Sequence, residues 1–360
     1  MTRADIDTIL AAQDESGAIL ACPAYPTYRY SWLRDGAFCA VALDAGDAQA
    51  ASRRFHAWVG QRVLAFEAPM RRAIEAAAIG EEPGPEDFLP CRFAASGHVP
   101  TGDGWGAFQL DGPGLWLWAL REHAQASGGQ ASLEGESRRA AALAAEYVAA
   151  LWRQPSYDAW EEHGEHLSTS TLAACLAGLL SAHRLGIELD GMHATVEAIR
   201  QAIAERGRRL GYLPRSDGDD AVDASILWCG PLLGAIHRDD PAWRATLARI
   251  ETELIGPEGG VHRYATDTFY GGGQWPVLTA SLGLALFGIG QPGHEAAARR
   301  SAAWIEQQRH DDGSLPEQSS EHLLHPSRLR EWESRWGFVA RPLTWSHAMA
   351  ILLRRAIESV

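Results

Sequence analysis

Apolar residues recur at helical spacing along almost the whole of this 360-residue chain. Near residues 168–185, for example, Leu172 and Leu179 lie two helical turns apart on one face. Sustained alternation of apolar and polar residues, which is typical of strands, is absent, although residues 261–264 could pair locally. The sequence therefore predicts an all-α fold with twelve helices, near residues 3–12, 35–44, 47–64, 113–126, 137–153, 168–185, 190–208, 223–236, 241–254, 272–288, 293–308 and 345–358.

The loops between these helices are of two kinds. Loops before the odd-numbered helices are plain, whereas loops before the even-numbered helices are rich in Trp, Tyr, Gly and acidic residues. The rich loops read YRYSWLRDG, GWGAFQLDG, YDAWEEHGEHLSTS, RSDGDDAVDAS, GVHRYATDTFYGGGQW and the segment that ends in RPLTWSHA. If outer and inner helices alternate around a closed ring, all six rich loops emerge at one end. This pattern predicts an (α/α)6 barrel with one funnel-shaped site, and we expect residues 1–360 to form one domain because no Pro- or Ser-rich linker divides them.

Composition argues against several kinds of partner. A net charge of −14 disfavours nucleic acids and anionic membranes, since both bind basic surfaces. The N-terminus lacks the apolar region of a signal peptide, and the five cysteines are too scattered for a disulfide framework. Three histidines near the acidic loops, His163, His166 and His262, do not form a metal-ligand set. We therefore expect a cytoplasmic protein with no membrane contact, no cofactor and no metal ion.

Tryptophan is unusually abundant, with 14 in the chain. Core packing explains about half of these residues, but the others stand beside Gly, Asp, Arg and Gln. A flat apolar ring next to polar groups suits a pyranose, which has C–H bonds on its faces and hydroxyls around its rim. These tryptophans indicate a carbohydrate site.

Two acidic loops carry the most specific chemistry. One contains the adjacent Glu161 and Glu162 between a Trp and a Gly, and the other, LPEQ, contains Glu317. Glycosidic cleavage needs one carboxylic acid to protonate the leaving oxygen and a second carboxylate nearby. The acidic run at residues 217–220 matches the DxDD motif of terpene cyclases, but a polar turn explains it better.

Six motifs follow one another along the chain from about residue 25 to its end. They are YxYxWxRD at 28–35, WGxxQxDGxxL at 105–115, WEE at 160–162, RYxxDxxYxGxxW at 263–275, LPEQ at 315–318 and PLTWSHA at 342–348. Their order and content resemble those of the glucoamylase and glucodextranase family. The resemblance implies an (α/α)6 barrel that hydrolyses α-glucosides with inversion at the anomeric carbon.

The resemblance also implies roles for the matched residues. Glu161, the first acid of WEE, takes the place of the general acid, and Glu317 takes that of the general base. Arg34 and Asp35 match the pair that grips the outer hydroxyls of the terminal glucose. Tyr28 would lie beside the attacking water.

Further matched residues would surround this group. Those implied to bind substrate are Trp32 and Trp105 as walls of the glucose subsite, Gln109 and Asp111 as residues that orient the wall, Arg263 and Glu162 beside the leaving sugar, and Trp160, Tyr264 and Trp345 in the same motifs. Trp275 fits the lining and the core equally well, and Asp223 is given no role.

Together these features predict an exo-acting, inverting hydrolase that releases glucose from small soluble α-1,6- or α-1,4-linked oligosaccharides. The N-terminal β-sandwich and starch-binding module of some relatives have no counterpart in the chain, which favours small substrates. A trehalase of the same family is the nearest alternative. Alternatives of other classes are a catalytically silent sugar-binding or regulatory barrel, against which the intact acids count, and an isomerase or lyase, which would not need WEE and LPEQ together.

Overall fold

The computed structural model describes residues 2–101, 104–128 and 133–359, and helices dominate this part of the chain. Among these residues, no helix has the length and apolarity needed to cross a membrane. Thirteen α-helices lie in the described ranges: α1 (Thr2–Ala12), α2 (Leu33–Ala45), α3 (Gln49–Ala65), α4 (Glu67–Ala78), α5 (Asp111–Ala126), α6 (Gly135–Leu151), α7 (Thr169–Arg184), α8 (Met192–Leu210), α9 (Pro241–Glu253), α10 (Pro276–Ile289), α11 (His294–Gln307), α12 (Pro326–Trp336) and α13 (Thr344–Glu358).

Strand structure is confined to short pieces in the part of the chain that the structure describes. Two strands, β1 (Ser31–Trp32) and β2 (Arg92–Phe93), pair antiparallel just before α2 and in the connection that leads to α5. The local pairing expected near residues 261–264 consists of single bridges at Val261 and His262. The all-α fold class is confirmed.

Six inner elements form a closed ring. In chain order they are α2, α5, α7, a 3₁₀ helix at Ala224–Cys229, α10 and α13, and each packs against the next, with α13 closing on α2. Outer helices α1, α3, α6, α8, α9 and α11 surround this ring. The predicted (α/α)6 barrel is therefore confirmed, with its inner helices beginning at the end where the rich loops lie.

Aromatic side chains fill the middle of the ring. Phe38 of α2 stacks on Trp345 of α13, with ring centroids 5.4 Å apart and planes 18° from parallel. The same phenyl ring lies 5.5 Å from Trp118 and 6.0 Å from Trp228. All four residues are buried. The barrel therefore has a packed floor beneath its loop end.

The prediction of an α-helix near residues 223–236 is wrong. In this range the structure has a 3₁₀ helix at Ala224–Cys229 and no α-helix. Asp223 caps the N-terminus of this 3₁₀ helix, because its side chain accepts a hydrogen bond from the backbone N–H of Ser225. Gly230 and Pro231 end it, because proline has no N–H to donate and disfavours helical geometry in the residue before it. This short element still fills the fourth inner position, between α7 and α10, since it packs against both.

Two helices, α4 and α12, were not predicted. α4 buries only Met70 and Ala73, and none of the residues of α12, all of which are described, is buried. Both segments nevertheless have apolar residues at helical spacing, Met70, Ala73 and Ala77 in α4 and Leu329, Trp332 and Trp336 in α12, so the signal was present in the sequence and the prediction overlooked it. α12 lies at the loop end of the barrel against a 3₁₀ turn at Phe269–Gly271.

Candidate active site

A cavity of about 390 Å³ opens at the end of the barrel where loops precede the inner elements. Of the fourteen predicted site residues, all of which the structure describes, eleven line it: Tyr28, Trp32, Arg34, Asp35, Trp105, Trp160, Glu161, Glu162, Arg263, Glu317 and Trp345. The other three, Gln109, Asp111 and Tyr264, lie behind this lining and hydrogen-bond to it. The structure therefore brings the predicted residues together around one pocket.

The loop that carries Glu161 and Glu162 is held by Asp158. The Asp158 Oδ1 atom accepts hydrogen bonds from the backbone N–H groups of Trp160 (2.9 Å) and Glu162 (3.0 Å). Glu161 has a φ of 66°, in the left-handed region that residues other than glycine rarely adopt. Within this tight turn the side chains of the two neighbouring glutamates contact different sets of partners. Backbone strain of this kind is typically found at functional sites.

Glu161 is held through one carboxylate oxygen. Its Oε1 atom accepts hydrogen bonds from Trp32 Nε1 (2.5 Å) and Gln109 Nε2 (2.8 Å), and the Arg34 guanidinium lies 3.7 Å away. All three groups are donors and cannot take a hydrogen bond from a carboxylic acid. A protonated Glu161 therefore carries its proton on Oε2, and Oε1 anchors the side chain.

Arg34 organises the polar floor beneath this carboxylate. Its NH1 atom donates to Gln109 Oε1 and to Asp111 Oδ2, both at 2.9 Å, whereas its Nε atom is 3.7 Å from Asp35. Asp111 is thus the closer counter-ion, and the predicted pair of Arg34 with Asp35 is the looser contact. Burial raises the pKa of Asp35 to about 7, although Arg34 lowers it in part, and Glu161 raises it further.

Glu162 faces a different, strongly basic set of partners. Its Oε2 atom accepts hydrogen bonds from Arg215 (2.8 Å) and from the Tyr264 hydroxyl (2.7 Å), and Arg263 donates to Oε1 at 3.3 Å. Burial raises the pKa of Glu162, but Arg263, Tyr264 and Arg215 together bring that pKa below its ordinary value. Glu162 is therefore ionised, and it is poorly suited to give up a proton.

Arg215 is a buried site residue that the sequence did not reveal. It donates to Asp158 at 2.8 Å as well as to Glu162, and lies 3.5 Å from Asp223, so it ties the glutamate loop to the next inner element. Arg215 lies two residues before the acidic run at 217–220. Its position in a rich loop was the feature of the sequence that could have indicated a role in the site. The run itself is a polar turn, as expected, with Asp219 accepting a hydrogen bond from the backbone N–H of Ala221.

Glu317 lines the same cavity as the two glutamates of the WEE loop, and it is buried. Its backbone N–H donates to the carbonyl of Ala340 (2.9 Å), and the side chain is 5% exposed. Burial raises the pKa of Glu317 to about 8, although a hydrogen bond from Tyr28 and the charge of Arg263 lower it in part. Within the described chain, Glu317 Oε2 has no hydrogen-bond partner. Glu317 is thus a buried carboxyl group that contacts Tyr28 and has one oxygen atom without a partner among the described residues.

Arg263 lies inside an aromatic cage. Its Nε and NH2 atoms donate to the two carboxylate oxygens of Asp267 at 2.8 and 2.6 Å. Four rings have their centroids 5.1 to 5.4 Å from the guanidinium carbon: Trp160, Tyr264, Phe269 and Trp275. The sequence left open whether Trp275 belongs to the cavity lining or to the core, and the structure shows that it lines the cavity. The cage fixes a guanidinium that reaches both Glu162 and the pocket.

Several larger residues at the mouth of the cavity were not predicted: Tyr25, Tyr157, Phe269, Tyr270, Trp332, Arg335 and Trp336. Tyr270 donates a hydrogen bond to the carbonyl of Gly337 (3.0 Å), so the Tyr25 hydroxyl, 2.6 Å away, donates to Tyr270. The Trp332 ring of α12 packs on Phe269 with centroids 4.9 Å apart. α12 therefore forms one wall of the mouth, although none of its residues is buried.

Two carboxylic acids in one aromatic pocket, at the loop end of an (α/α)6 barrel, define the class of this protein as a glycoside hydrolase. The chain belongs to glycosyl hydrolases family 15, because the model of that family matches residues 2–287. The resemblance found from six sequence motifs is thereby confirmed.

Two similar proteins match nearly the whole chain, and a third matches a shorter part of it. An isomaltose glucohydrolase of Kribbella flavida is 39% identical over 348 residues, which cover 95% of this chain and 88% of that protein. A glycosidase variant solved in complex with glucose superposes with a TM-score of 0.92 at 37% identity, covering 99% of this chain and 96% of that chain. A trehalase of Mycolicibacterium smegmatis is 34% identical over 126 residues, which are 32% of this chain and 18% of that protein.

Proposed function

We propose that this protein is an exo-acting, inverting α-glucoside hydrolase that releases β-glucose from the non-reducing end of short oligosaccharides, with isomaltose-type substrates preferred. The observation that carries the proposal is the pair of unlike carboxyl groups in one pocket. Glu161 is anchored through Oε1 by donors, and buried Glu317 keeps Oε2 without a protein partner among the described residues. An inverting hydrolase needs one proton donor and one water-activating base.

In the proposed reaction Glu161 is the general acid. Its Oε2 proton passes to the glycosidic oxygen as the bond from that oxygen to the anomeric carbon breaks. Trp32 and Gln109 hold Oε1, so the side chain does not rotate as the proton leaves. The negative charge left on Glu161 is stabilised by these two donors and by Arg34, 3.7 Å away.

Glu317 is the general base in the same step. The oxygen of a water molecule forms the new bond to the anomeric carbon from the opposite face, and Glu317 takes the proton that the water gives up. Tyr28 holds the carboxylate in place by its hydrogen bond. After product leaves, Glu161 regains a proton from solvent and Glu317 loses one, which restores the enzyme.

The pH dependence of the reaction tests the assignment of Glu317. Because burial raises the pKa of Glu317 to about 8, we expect the acidic limb of kcat/KM near pH 8 and not at pH 4 to 5. Tyr28→Phe removes a hydrogen bond to the ionised form, so the limb should move to higher pH by roughly one unit. Tyr264→Phe, which removes a hydroxyl from Glu162, should leave the limb in place. An unmoved limb in Tyr28→Phe would contradict the role of Glu317.

The shape of the pocket supports cleavage from a chain end. Arg34, Asp35, Trp32 and Trp105 line its inner part, where the family resemblance puts the terminal glucose, and the packed floor at Trp345 leaves no passage through the barrel. We propose that Glu162 and Arg263 hold the leaving sugar nearer the mouth. A volume of about 390 Å³ is at the small end for ligand pockets, which favours short substrates.

The choice of linkage rests on the relatives. The relative that matches 95% of the chain is an isomaltose glucohydrolase, so an α-1,6 linkage is our first proposal. Trehalose is the second candidate, because a trehalase matches 126 residues, but that match leaves two thirds of the chain uncovered. A silent sugar-binding barrel is less well supported, since both carboxyl groups and Arg34 lie in the pocket.

Product stereochemistry and a substrate panel test the proposal together. Proton NMR of the first turnovers on isomaltose should detect β-glucose, with α-glucose formed only later by mutarotation. Rates of glucose release should be highest for isomaltose among isomaltose, maltose, trehalose, kojibiose and nigerose, and kcat/KM should fall on dextran. Early α-glucose would refute inversion, and release of internal oligosaccharides from dextran would refute exo-action.

We further propose that the chain works as one catalytic domain in the cytoplasm. α13 closes the ring on α2 and also packs against α1, so the first and last helices belong to the same barrel. All five cysteines lie in described residues, and each is buried and free. Free thiols throughout are typical of proteins in a reducing compartment.

A further inference from the structure

Three buried side chains that the catalytic pocket does not use meet between α2, α3 and α5. Asp44, His56 and His123 each offer a ligand atom, and these atoms lie within 4.8 Å of one another. Each residue is at most 6% exposed. Along α2 the cluster is nine residues from Asp35, or about 14 Å, so it lies well below the sugar site.

His56 is the unexplained member of this group. Within the described chain, neither of its ring nitrogens has a hydrogen-bond partner, and both nitrogens are buried. Its ring lies beside that of His123, with the two ring centroids 5.1 Å apart. A neutral imidazole has one N–H group and one lone pair, and leaving both unmet inside a protein is unfavourable. The nitrogen lone pair of His56 therefore has no binding partner among the described residues.

The surroundings of His56 favour a cation as that partner. Asp44 contacts His123 Nδ1 at 2.9 Å through Oδ1 and accepts a hydrogen bond from the Ser52 hydroxyl at 2.8 Å through Oδ2. Asp44 lies in the last turn of α2 and His123 in the last turn of α5. The carbonyl ends of helices carry partial negative charge, which adds to that of the carboxylate.

We propose that Asp44, His56 and His123 form a structural site for a divalent transition-metal ion of the zinc type. Two imidazoles and one carboxylate are ligands that zinc prefers, and a water molecule would be the fourth, whereas magnesium and calcium prefer oxygen alone. Ligand atoms around tetrahedral zinc are roughly 3.3 Å apart, so binding draws the present set together by small side-chain movements. The ion would link two inner helices, α2 and α5, to the outer helix α3.

Zinc binding to the metal-free protein tests this site. Wild-type protein stripped with a chelator and given Zn²⁺ should retain one zinc per chain after gel filtration, measured by mass spectrometry of the metal. Its Tm should rise by a few degrees at saturating Zn²⁺. Co²⁺ in place of Zn²⁺ should give the visible absorption of a four-coordinate site. His56→Ala and Asp44→Asn should each lose the bound zinc and the rise in Tm.

A matched control comes from an exposed group of similar composition. Glu258, Glu321 and His322 also lie within reach of one ion, but all three are exposed. His322→Ala should therefore keep the zinc and the rise in Tm. Wild-type protein that retains no zinc would overturn the proposal, as would a folded His56→Ala or Asp44→Asn variant that retains it. Wild-type protein without bound zinc overturns the proposal even if neither variant folds.

Discussion

Glu161→Gln is expected to lower kcat on isomaltose by about 10²–10⁴-fold while KM changes little, because that is the usual contribution of a positioned general acid. The amide that replaces the carboxyl keeps an oxygen that can accept the hydrogen bonds of Trp32 and Gln109. The pocket should therefore stay intact and lose only the proton. On an aryl glucoside, whose leaving group needs less protonation, the loss should be much smaller. Initial rates on both substrates give the comparison.

Glu162→Gln is the matched control, because it makes the same change in the neighbouring residue. Glu162 is ionised among Arg215, Arg263 and Tyr264, and we assign it to binding of the leaving sugar. Its replacement should mainly raise KM for isomaltose, with a smaller effect on aryl glucosides that lack the sugar hydroxyls. If the dependence on leaving group appears in Glu162→Gln and not in Glu161→Gln, the two roles are reversed.

Glu317→Gln is expected to lower kcat by about 10²–10⁴-fold on both isomaltose and the aryl glucoside, since water must be activated in each case. The same variant should be more stable than the wild type above pH 5. The folded state holds the Glu317 proton up to a pKa of about 8, whereas the ordinary value is 4.5. Wild-type stability should therefore fall as pH rises between these values, by up to about 1.4 kcal/mol per pH unit, and the uncharged amide removes that loss.

Thermal unfolding of the two proteins between pH 5 and pH 8.5 checks the second part of this expectation. The difference in Tm should be small at pH 5 and should grow to several degrees by pH 8. Ser319→Ala, a change at a buried neighbour that carries no charge, should give a difference that does not vary with pH. A constant difference for Glu317→Gln would mean that Glu317 is ionised throughout and that burial does not raise its pKa.

The sequence predicted those parts of the site that stand in local motifs. Glu161, Glu317 and Arg34 were recognised because each belongs to a short motif, either in a rich loop that precedes an inner helix or, for Arg34, in its first turn, and all three line the pocket. Arg215 was missed because its importance depends on contacts with Asp158 and Glu162, more than fifty residues away. Local spacing carries no information about such a contact.

Two elements of the fold were the other weak point of the prediction. α12 was missed although Leu329, Trp332 and Trp336 recur at helical spacing, because this short helix forms a wall of the mouth and none of its residues is buried in the core. The inner element at Ala224–Cys229 was predicted too long, because its apolar pattern continues past Gly230 and Pro231. The cluster of Asp44, His56 and His123 has no motif, since its members come from three separate helices.

The packed floor of Phe38, Trp118, Trp228 and Trp345 has a consequence for the kinetics. A pocket with a closed base has one way in and out, so the two products must leave in order, the leaving sugar first and β-glucose last. Glucose then competes with fresh substrate for the same position. A longer chain cannot slide forward after each cleavage but must dissociate from the pocket. We therefore expect successive cleavages to fall on different molecules, so that the enzyme acts distributively.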